Sequence, residues 1–337
     1  MSASQERPLA VVTGGAGFIG SHAVDQLLAK GYRVHVVDDL TGGRIDNLAD
    51  AGRSPDFRFE QQDITTLDPE AAIFKGAKIV LHFAGIGDIV PSIERPIDYM
   101  AVNVQGTVRV LEAARRSNAK LVYAASSTCY GLASTPTRED HPIDPQFPYA
   151  LSKWMGERAC FHWLKVYGAP MNVIRIFNAY GTRSRTSGAY GAVFGVFLKQ
   201  KLAGAPFTVV GDGAQSRDFV YVTDVAKAFV AAAETPLVGH AWNVGAGAPQ
   251  TVNRLVELLG GPHVNLPTRP GEPACTWADT TAIRRDLGWE PSVSFEQGVA
   301  MILENIDYWR DAPLWTPESI GQATQSWFKH LTQTKPS

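Results

Sequence analysis

Residues 9–20 read Leu-Ala-Val-Val-Thr-Gly-Gly-Ala-Gly-Phe-Ile-Gly. The first five form a short apolar run, which is typical of a buried strand. Gly14, Gly17 and Gly20 then allow a tight turn, a close approach of the backbone to a pyrophosphate, and close packing of a helix on the strand. The helix predicted after them, which Gly31 would end, offers free N–H groups to such an anion. The stretch predicts a dinucleotide-binding strand, turn and helix.

An acidic pair follows the next apolar run, about 20 residues past the glycines. Asp38 and Asp39 end a run that begins at Arg33. A carboxylate at this distance is expected to hydrogen-bond the ribose of the adenosine half of a dinucleotide. Because it would also repel a 2′-phosphate, we expect NAD rather than NADP, with Asp38 on the ribose.

Strand and helix patterns alternate through the first half of the chain. The candidate strands are 9–13, 34–37, 57–61, 79–83, 121–125 and 172–177. The main helical stretches are 99–117 and 149–167. This alternation predicts an α/β fold with a Rossmann-type, doubly wound parallel sheet. Ligands on such a sheet bind at the carboxyl ends of its strands, where the glycine turn and Asp38 fall.

The composition changes after about residue 178, where glycine, proline and short apolar segments become frequent. We predict an NAD-binding domain over 1–177, rejoined by about 219–239 and 250–261. A smaller C-terminal α/β substrate-binding domain is predicted from 178–218, 240–249 and 262–337, including the C-terminal helices. The tail from Thr316 predicts a capped amphipathic helix, in which Trp315, Trp327 and Phe328 are interpreted as packing anchors.

Charge and cysteine usage narrow the class of protein. The 337 residues carry a formal net charge of −2 without a long charge run, so we expect neither a nucleic-acid partner nor a membrane partner. Residues 1–8 are polar, which is unlike a signal peptide. Cys129, Cys160 and Cys275 are scattered and indicate neither a disulfide framework nor a metal site. The prediction is a cytoplasmic protein that holds no metal.

Residues 149–153 read Tyr-Ala-Leu-Ser-Lys. Tyr149 and Lys153 are four residues apart, so on a helix both side chains lie on one face. A cation beside a phenol favours the phenolate and lowers the phenol's pKa. We therefore predict that Lys153 lowers the pKa of Tyr149, and that Tyr149 takes a proton from an alcohol near neutral pH.

Further motifs join these two. They are Asp63-Ile64, His82-Phe83-Ala84-Gly85, Ser126-Ser127-Thr128-Cys129-Tyr130-Gly131 and Arg269-Pro270-Gly271-Glu272. From about residue 8 to about residue 310 the chain resembles an extended short-chain dehydrogenase/reductase of the nucleotide-sugar epimerase and dehydratase branch. The resemblance implies a homodimer through a bundle of the 99–117 and 149–167 helices. The predicted NAD contacts are Gly14, Gly17, Phe18, Ile19, Gly20, Asp38, Asp63, Ile64, Ala84, Gly85, Asn103, Tyr149 and Lys153.

The resemblance also implies the chemistry. Ser126 resembles the serine that hydrogen-bonds the reacting sugar hydroxyl, with help from Thr128. The family's dehydratases and decarboxylases carry a glutamate where Thr128 stands, and a threonine hydroxyl does not ionise near pH 7, which argues against elimination of water. We predict that Tyr149 removes the 4-hydroxyl proton while hydride passes from C4 to NAD⁺, and that Lys153 holds the nicotinamide ribose. Return of the hydride to the other face of the ketose completes a 4-epimerisation.

The expected substrate is a nucleoside-diphosphate sugar, with UDP as the favoured nucleotide. The predicted contacts are Ser126, Asn178, Arg185, Arg217, Arg269, Glu272 and Thr276. Thr276 is smaller than the tyrosine of epimerases restricted to plain hexoses, which leaves room for an N-acetyl group, and Arg185 could meet a uronic acid carboxylate. Gly87 and Asp88 depart from the usual residues of the sugar-side loop. UDP-hexose, UDP-N-acetylhexosamine and UDP-hexuronate stay open.

Two other functions share these residues. A 4-ketosugar reductase or a sugar-nucleotide dehydrogenase would use the same Tyr149 and Lys153 but consume or release reduced cofactor. A non-catalytic NAD-binding regulator would be expected to have lost Tyr149 or Lys153, and both are present.

Overall fold

Seven parallel strands form the central sheet of the protein. The structure is a computed structural model that describes residues 7–186 and 193–331. The strands are β1 Leu9–Thr13, β2 Arg33–Asp38, β3 Phe57–Gln61, β4 Ala77–His82, β5 Lys120–Ser126, β6 Met171–Ile176, β7 Asn178–Tyr180, β8 Phe207–Val210, β9 Ser216–Arg217, β10 Phe219–Tyr221, β11 Ala241–Val244, β12 Gln250–Thr251 and β13 His263–Leu266. The sheet order is β11-β6-β5-β4-β1-β2-β3, which confirms the predicted doubly wound fold.

Helices cover both faces of this sheet. They are α1 Phe18–Ala29, α2 Ile89–Glu94, α3 Pro96–Met100, α4 Thr107–Arg116, α5 Pro148–Tyr167, α6 Val193–Leu202, α7 Val222–Glu234, α8 Val252–Leu259, α9 Thr281–Leu287, α10 Phe295–Glu304, α11 Pro317–Ala323 and α12 Gln325–Leu331. All five residues of β1 are buried, as expected for a parallel strand that is covered on both faces. One face packs on α1 and α7 through residues such as Val12 and Phe229. The other packs on α4 and α5 through Val80, Val110 and Cys160.

The stretch predicted as one helix over 99–117 is interrupted. A π-helical turn, Ala101–Gly106, separates α3 from α4. A Cβ on Gly106 in this turn would lie 2.7 Å from the Ile64 side chain, which would have to shift to make room for it. The turn directs the Asn103 side chain into the protein interior, and Asn103 is only 1% exposed. Such π turns are frequent at functional sites, and no local sequence signal marked this one.

A second hydrophobic cluster lies beside the sheet and is built from α6, α8, α10 and the short strands β7, β8 and β10. Two predicted boundaries differ from this arrangement. β11 lies in the main sheet beside β6, with Trp242 buried, so assigning 240–249 to the substrate-binding domain is wrong for this strand. α8 packs in the second cluster through Leu255, so assigning 250–261 to the NAD-binding domain is wrong for this helix. In both cases the burial of side chains decides which part of the protein the element packs against. The rest of the predicted domain division stays a prediction.

Among the residues that the structure describes, there is neither a membrane-spanning helix nor a metal-binding cluster. None of the helices in 7–186 and 193–331 has both the length and the apolar character needed to cross a bilayer. Within the same ranges no cluster of three or more His, Cys, Asp or Glu side chains has an arrangement that could hold a metal ion.

Candidate active site

The glycine turn lies at the carboxyl end of β1 and faces the end of β4. Gly14 has a φ of +71°, and its N–H donates to the Val37 carbonyl at 2.8 Å. A Cβ on Gly14 would lie 2.5 Å from the Ala84 backbone nitrogen, so only glycine fits. This close approach brings the turn and the predicted cofactor residues after β4 together at one edge of the sheet.

Asp38 lies beside the same turn and is 6% exposed. Its carboxylate accepts the N–H groups of Ala16 at 3.0 Å and Leu40 at 2.8 Å, so it also fixes the shape of the turn. Burial raises the pKa of Asp38, and these two hydrogen bonds oppose the rise. A carboxylate has further lone pairs for ribose hydroxyls, and that contact stays a prediction. Asp63 is exposed at the end of β3, and Ile64 is buried behind it.

Asn103 fixes the loop after β4 to helix α5. Its Oδ1 accepts the Ile86 N–H at 2.9 Å, and its Nδ2 donates to the Ile86 carbonyl and to Ser152 Oγ, both at 2.9 Å. A Cβ on Gly85 would lie 2.8 Å from this Oδ1 and 3.8 Å from Lys153 Nζ. Asn103 therefore ties the loop to α5 at the residue next to Lys153, while its predicted contact with NAD stays a prediction.

Tyr149 and Lys153 lie one turn apart on α5, but their pKa values differ from the expectation. Burial raises the pKa of Tyr149, a hydrogen bond with Ser126 opposes the rise, and the Asp88 carboxylate adds to it. Lys153 is not among the main causes of this shift, and that it lowers the pKa of Tyr149 stays a prediction. The Lys153 ammonium lies 4.5 Å from the centroid of the Tyr123 ring, and burial lowers its own pKa to about 8.

Ser126 and Thr128 lie at the end of β5, against Tyr149. Their hydroxyl oxygens are 2.9 Å apart, and the Thr128 N–H donates to Ser126 Oγ at 3.3 Å, which caps the short turn that follows. Gly87 also lies close to Tyr149, because a Cβ at Gly87 would be 3.9 Å from the Tyr149 hydroxyl. The structure thus brings together the phenol, both hydroxyls and the sugar-side loop.

A buried ion pair supports this turn, and the sequence did not point to it. Arg175 on β6 makes a bidentate pair with Glu157 on α5, at 2.6 and 3.0 Å. Arg175 also donates to the Tyr130 hydroxyl at 2.7 Å, and that hydroxyl donates to Asn243 Oδ1 at 2.7 Å. Tyr130 ends the turn that starts after Ser126, so the network holds the turn from beneath. Only the fold brings these distant positions together.

The predicted substrate residues gather in two groups. Arg217 pairs with Glu272 at 2.7 Å, and Arg269 Nη1 lies 3.9 Å from the same carboxylate. Thr276 Oγ1 donates to Asn178 Oδ1 at 2.7 Å. A small cavity is lined by Thr276 and its neighbours together with Ser127 and Tyr130, so this segment faces the turn after β5.

The two arginines of the loop after β7 have separate partners. Arg185 forms an ion pair with Asp88, which adjoins Tyr149, whereas Arg183 pairs with Asp25 on α1 at 2.7 Å. Arg185 therefore already meets a carboxylate from this chain, and its contact with a sugar stays a prediction.

His82 lies beneath the site and makes stability depend on pH. The residue is fully buried, with Nδ1 2.7 Å from Thr13 Oγ1 and Nε2 3.0 Å from Thr107 Oγ1. Burial lowers its pKa to about 3, and the Lys153 charge adds to this. Between this pKa and the usual histidine pKa of 6.5, the unfolded chain binds more protons at His82 than the folded chain does. The contribution of His82 to the free energy of unfolding is therefore complete above pH ~6.5 and is lost as pH falls towards ~3.

We expect His82→Gln to flatten the acid limb of the stability profile, measured by urea unfolding from pH ~7 to ~4. Glutamine keeps a donor and an acceptor without a charge in this range. His263→Gln, at an exposed position, is the matched control and should keep the wild-type slope. Equal slopes for His82→Gln and the wild-type chain would contradict the prediction.

Four features define this protein as a Rossmann-fold, nicotinamide-dependent enzyme. They are a buried strand, a glycine turn with no room for side chains at its glycines, an acid at the end of the next strand, and a Tyr–Lys pair on one helix. A family model described as the NAD dependent epimerase/dehydratase family matches residues 10–245. The chain belongs to this family, which confirms the resemblance and the prediction of NAD.

Relatives and solved structures agree with the family. The chain is 37% identical over 306 residues to the UDP-glucose 4-epimerase of Mycolicibacterium smegmatis, covering 87% of this chain and 97% of that protein. It is 32% identical over 305 residues to the UDP-glucuronate 4-epimerase of Thermodesulfobacterium geofontis, covering 86% and 93%. The structure matches the UDP-glucuronic acid 4-epimerase of Bacillus cereus, in complex with UDP-glucuronic acid and NAD, with a TM-score of 0.83 at 30% identity, covering 89% and 99%.

Proposed function

We propose that this protein is an NAD-dependent 4-epimerase of a UDP-sugar. The observation that carries the proposal is the grouping of Tyr149, Ser126 and Thr128 around one point, with Lys153 one helical turn away and no carboxylate in place of Thr128. A base and hydrogen-bonding hydroxyls suffice for reversible oxidation of an alcohol. Elimination of water needs a further group that ionises near pH 7, and a threonine does not supply it.

The chain's residues divide the work of this reaction. Tyr149 takes the proton from the sugar 4-hydroxyl, and Ser126 stabilises the phenolate through its hydrogen bond, which acts against the effect of burial. Ser126 and Thr128 orient the sugar oxygen. The glycine turn, Asp38 and Lys153 would hold NAD, which when bound accepts the hydride from C4 and gives it back. Asn103 ties the loop after β4 to α5 at the residue next to Lys153.

The names of the relatives support UDP as the nucleotide. Arg217 and Arg269 would bind the diphosphate and Glu272 the nucleoside ribose, and guanidinium groups suit phosphate oxygens. Because both arginines lie near Glu272 in the structure, a diphosphate would take over part of this pairing. Similar structures include a UDP-N-acetylglucosamine 4-epimerase and a UDP-glucuronic acid 4-epimerase, so plain hexose, N-acetylhexosamine and hexuronate remain candidate sugars.

We propose further that a second copy of the chain binds the exposed face of α5. Leu151, Met155 and Val166 on this helix are 39%, 41% and 52% exposed, and Ile97 on the neighbouring α3 is 80% exposed. Their spacing places the three α5 residues near one face. This surface fits the helical bundle that the family resemblance implies.

Cytoplasmic localisation stays a prediction from the scattered cysteines.

A panel of UDP-, CDP-, GDP- and dTDP-sugars tests the function, with NMR of the products and NADH absorbance recorded during conversion. We expect one or more UDP-sugars to reach an equilibrium of C4 epimers with no net change in NADH. A net change would instead support the ketosugar reductase or the dehydrogenase. Absence of turnover with every sugar, although NAD binds, would support the non-catalytic regulator.

A further inference from the structure

The C-terminal segment, residues 316–331, folds back onto the substrate side of the protein. Thr316 and Ser319 form a capping box that begins α11, and α12 follows as a separate short helix. This segment lies outside residues 10–245, the part of the chain that the family model matches. The predicted resemblance to the family likewise ends near residue 310.

Trp327 connects α12 to the segment that carries Arg269. The residue is 5% exposed, and its indole N–H donates to the Pro270 carbonyl at 2.8 Å. The guanidinium carbon of Arg269 lies 5.9 Å from the centroid of the indole ring, within the range of a cation–π contact. The Trp327 side chain thus restrains both the backbone of Pro270 and the guanidinium of Arg269.

Trp327 also lies near the beginning of helix α5. Its ring lies 6.3 Å from that of Phe147, which in turn lies near-parallel to the Tyr149 ring at 6.3 Å. The neighbouring Ser326 donates to Glu94 Oε1 at 2.8 Å, at the end of α2, the helix that follows the sugar-side loop. Helix α12 therefore contacts both the sugar end and the diphosphate end of the proposed site.

We propose that Trp327 is a positioning residue for the nucleoside diphosphate, acting through Arg269. The inference rests on the proposed function, in which Arg269 binds the diphosphate. The Glu272 carboxylate, which is paired with Arg217, lies 3.9 Å from Arg269, and the Trp327 ring is a second contact of Arg269 that a phosphate competing for that carboxylate would leave in place. A cation fixed before binding loses less conformational freedom when the ligand arrives.

The first test is binding of UDP alone, measured by calorimetry on the full chain. We expect Trp327→Ala to weaken UDP binding by about tenfold, from loss of the cation–π contact and of the hydrogen bond to Pro270. Trp327→Phe keeps an aromatic face and should lose less. In turnover assays the KM for the UDP-sugar should rise while kcat changes by less than about twofold, because the Tyr149 chemistry is intact.

A double-mutant cycle separates this role from simple packing. If Trp327 acts through Arg269, the Arg269→Ala/Trp327→Ala double variant should bind UDP no more weakly than Arg269→Ala alone. Additive losses would overturn the proposal, as would unchanged UDP affinity in Trp327→Ala. Ser326→Ala removes another contact of the same helix and is the matched control, with wild-type affinity expected. Should Trp327→Ala fail to fold, Trp327→Phe carries the comparison: we expect weaker UDP binding than in the wild type with no further loss in Arg269→Ala/Trp327→Phe, and wild-type affinity in Trp327→Phe or additive losses would overturn the proposal.

The outcomes also distinguish this inference from the proposed function. A wild-type chain that binds UDP but epimerises no sugar would refute the 4-epimerase and leave the UDP-binding comparison decisive for Trp327. A wild-type chain that binds no UDP would refute both.

Discussion

Replacing Tyr149 with phenylalanine is expected to lower kcat for 4-epimerisation by about 10²–10⁴-fold, the range typical for loss of a general base. The phenol oxygen is the group placed to take the proton, with Ser126 as its hydrogen-bond partner. Phenylalanine keeps the ring, which packs against Tyr99 and Phe147, so the site should keep its shape. The NAD content should be unchanged, since the glycine turn and Lys153 are untouched. Steady-state kinetics and the absorbance of released NAD measure both quantities.

Tyr167→Phe is the control for this experiment. Tyr167 ends the same helix and is 53% exposed, so its variant should turn over at the wild-type rate. Near-normal kcat in Tyr149→Phe would refute the catalytic role. A parallel loss of NAD would show that the substitution acts on cofactor binding instead.

Replacing Glu157 with glutamine is expected to lower the free energy of unfolding by about 3–5 kcal/mol, which is typical for breaking a buried ion pair from one side. The side chains of Arg175 and Glu157 are 6% and 1% exposed, so the variant would leave the Arg175 charge buried with no counter-charge from Glu157. Urea unfolding measures the change. Because Arg175 also donates to Tyr130, the turn that carries Thr128 should lose order as well, with a lower kcat.

Two controls test whether the buried charge is the cause. Removing both charges in Glu157→Leu/Arg175→Met should recover much of the lost stability, because no unpaired charge remains. Breaking the exposed pair of Lys30 and Glu234, by Glu234→Gln, should change stability by less than about 1 kcal/mol. A loss in Glu157→Gln no larger than in Glu234→Gln would contradict the prediction.

Local features of the sequence predicted much of the fold. Six strands of the sheet fall where strand patterns predicted them. A strand buried on both faces, such as β1, has to be apolar throughout, whereas the edge strand β3 alternates apolar and polar residues and is mostly exposed. The glycine turn was predictable because only glycine tolerates the φ of Gly14 and the approach of Ala84. Longer patterns were less informative. β11 and the π turn at Ala101–Gly106 depend on contacts with residues that are far away in the sequence. The local sequence of each segment therefore did not predict them.

The sequence alone determined which groups are proposed to carry the chemistry: the glycine turn, the acid after β2, and the pair of Tyr149 and Lys153. Residue type and spacing along the chain are enough to identify them. The tertiary structure decided how those groups behave. Burial raises the pKa of Tyr149, Tyr123 lies under the Lys153 ammonium, and Glu157 meets Arg175 beneath the turn after β5. These effects arise from contacts between residues far apart in the chain, and electrostatic interactions depend on distance in space and on exclusion of water.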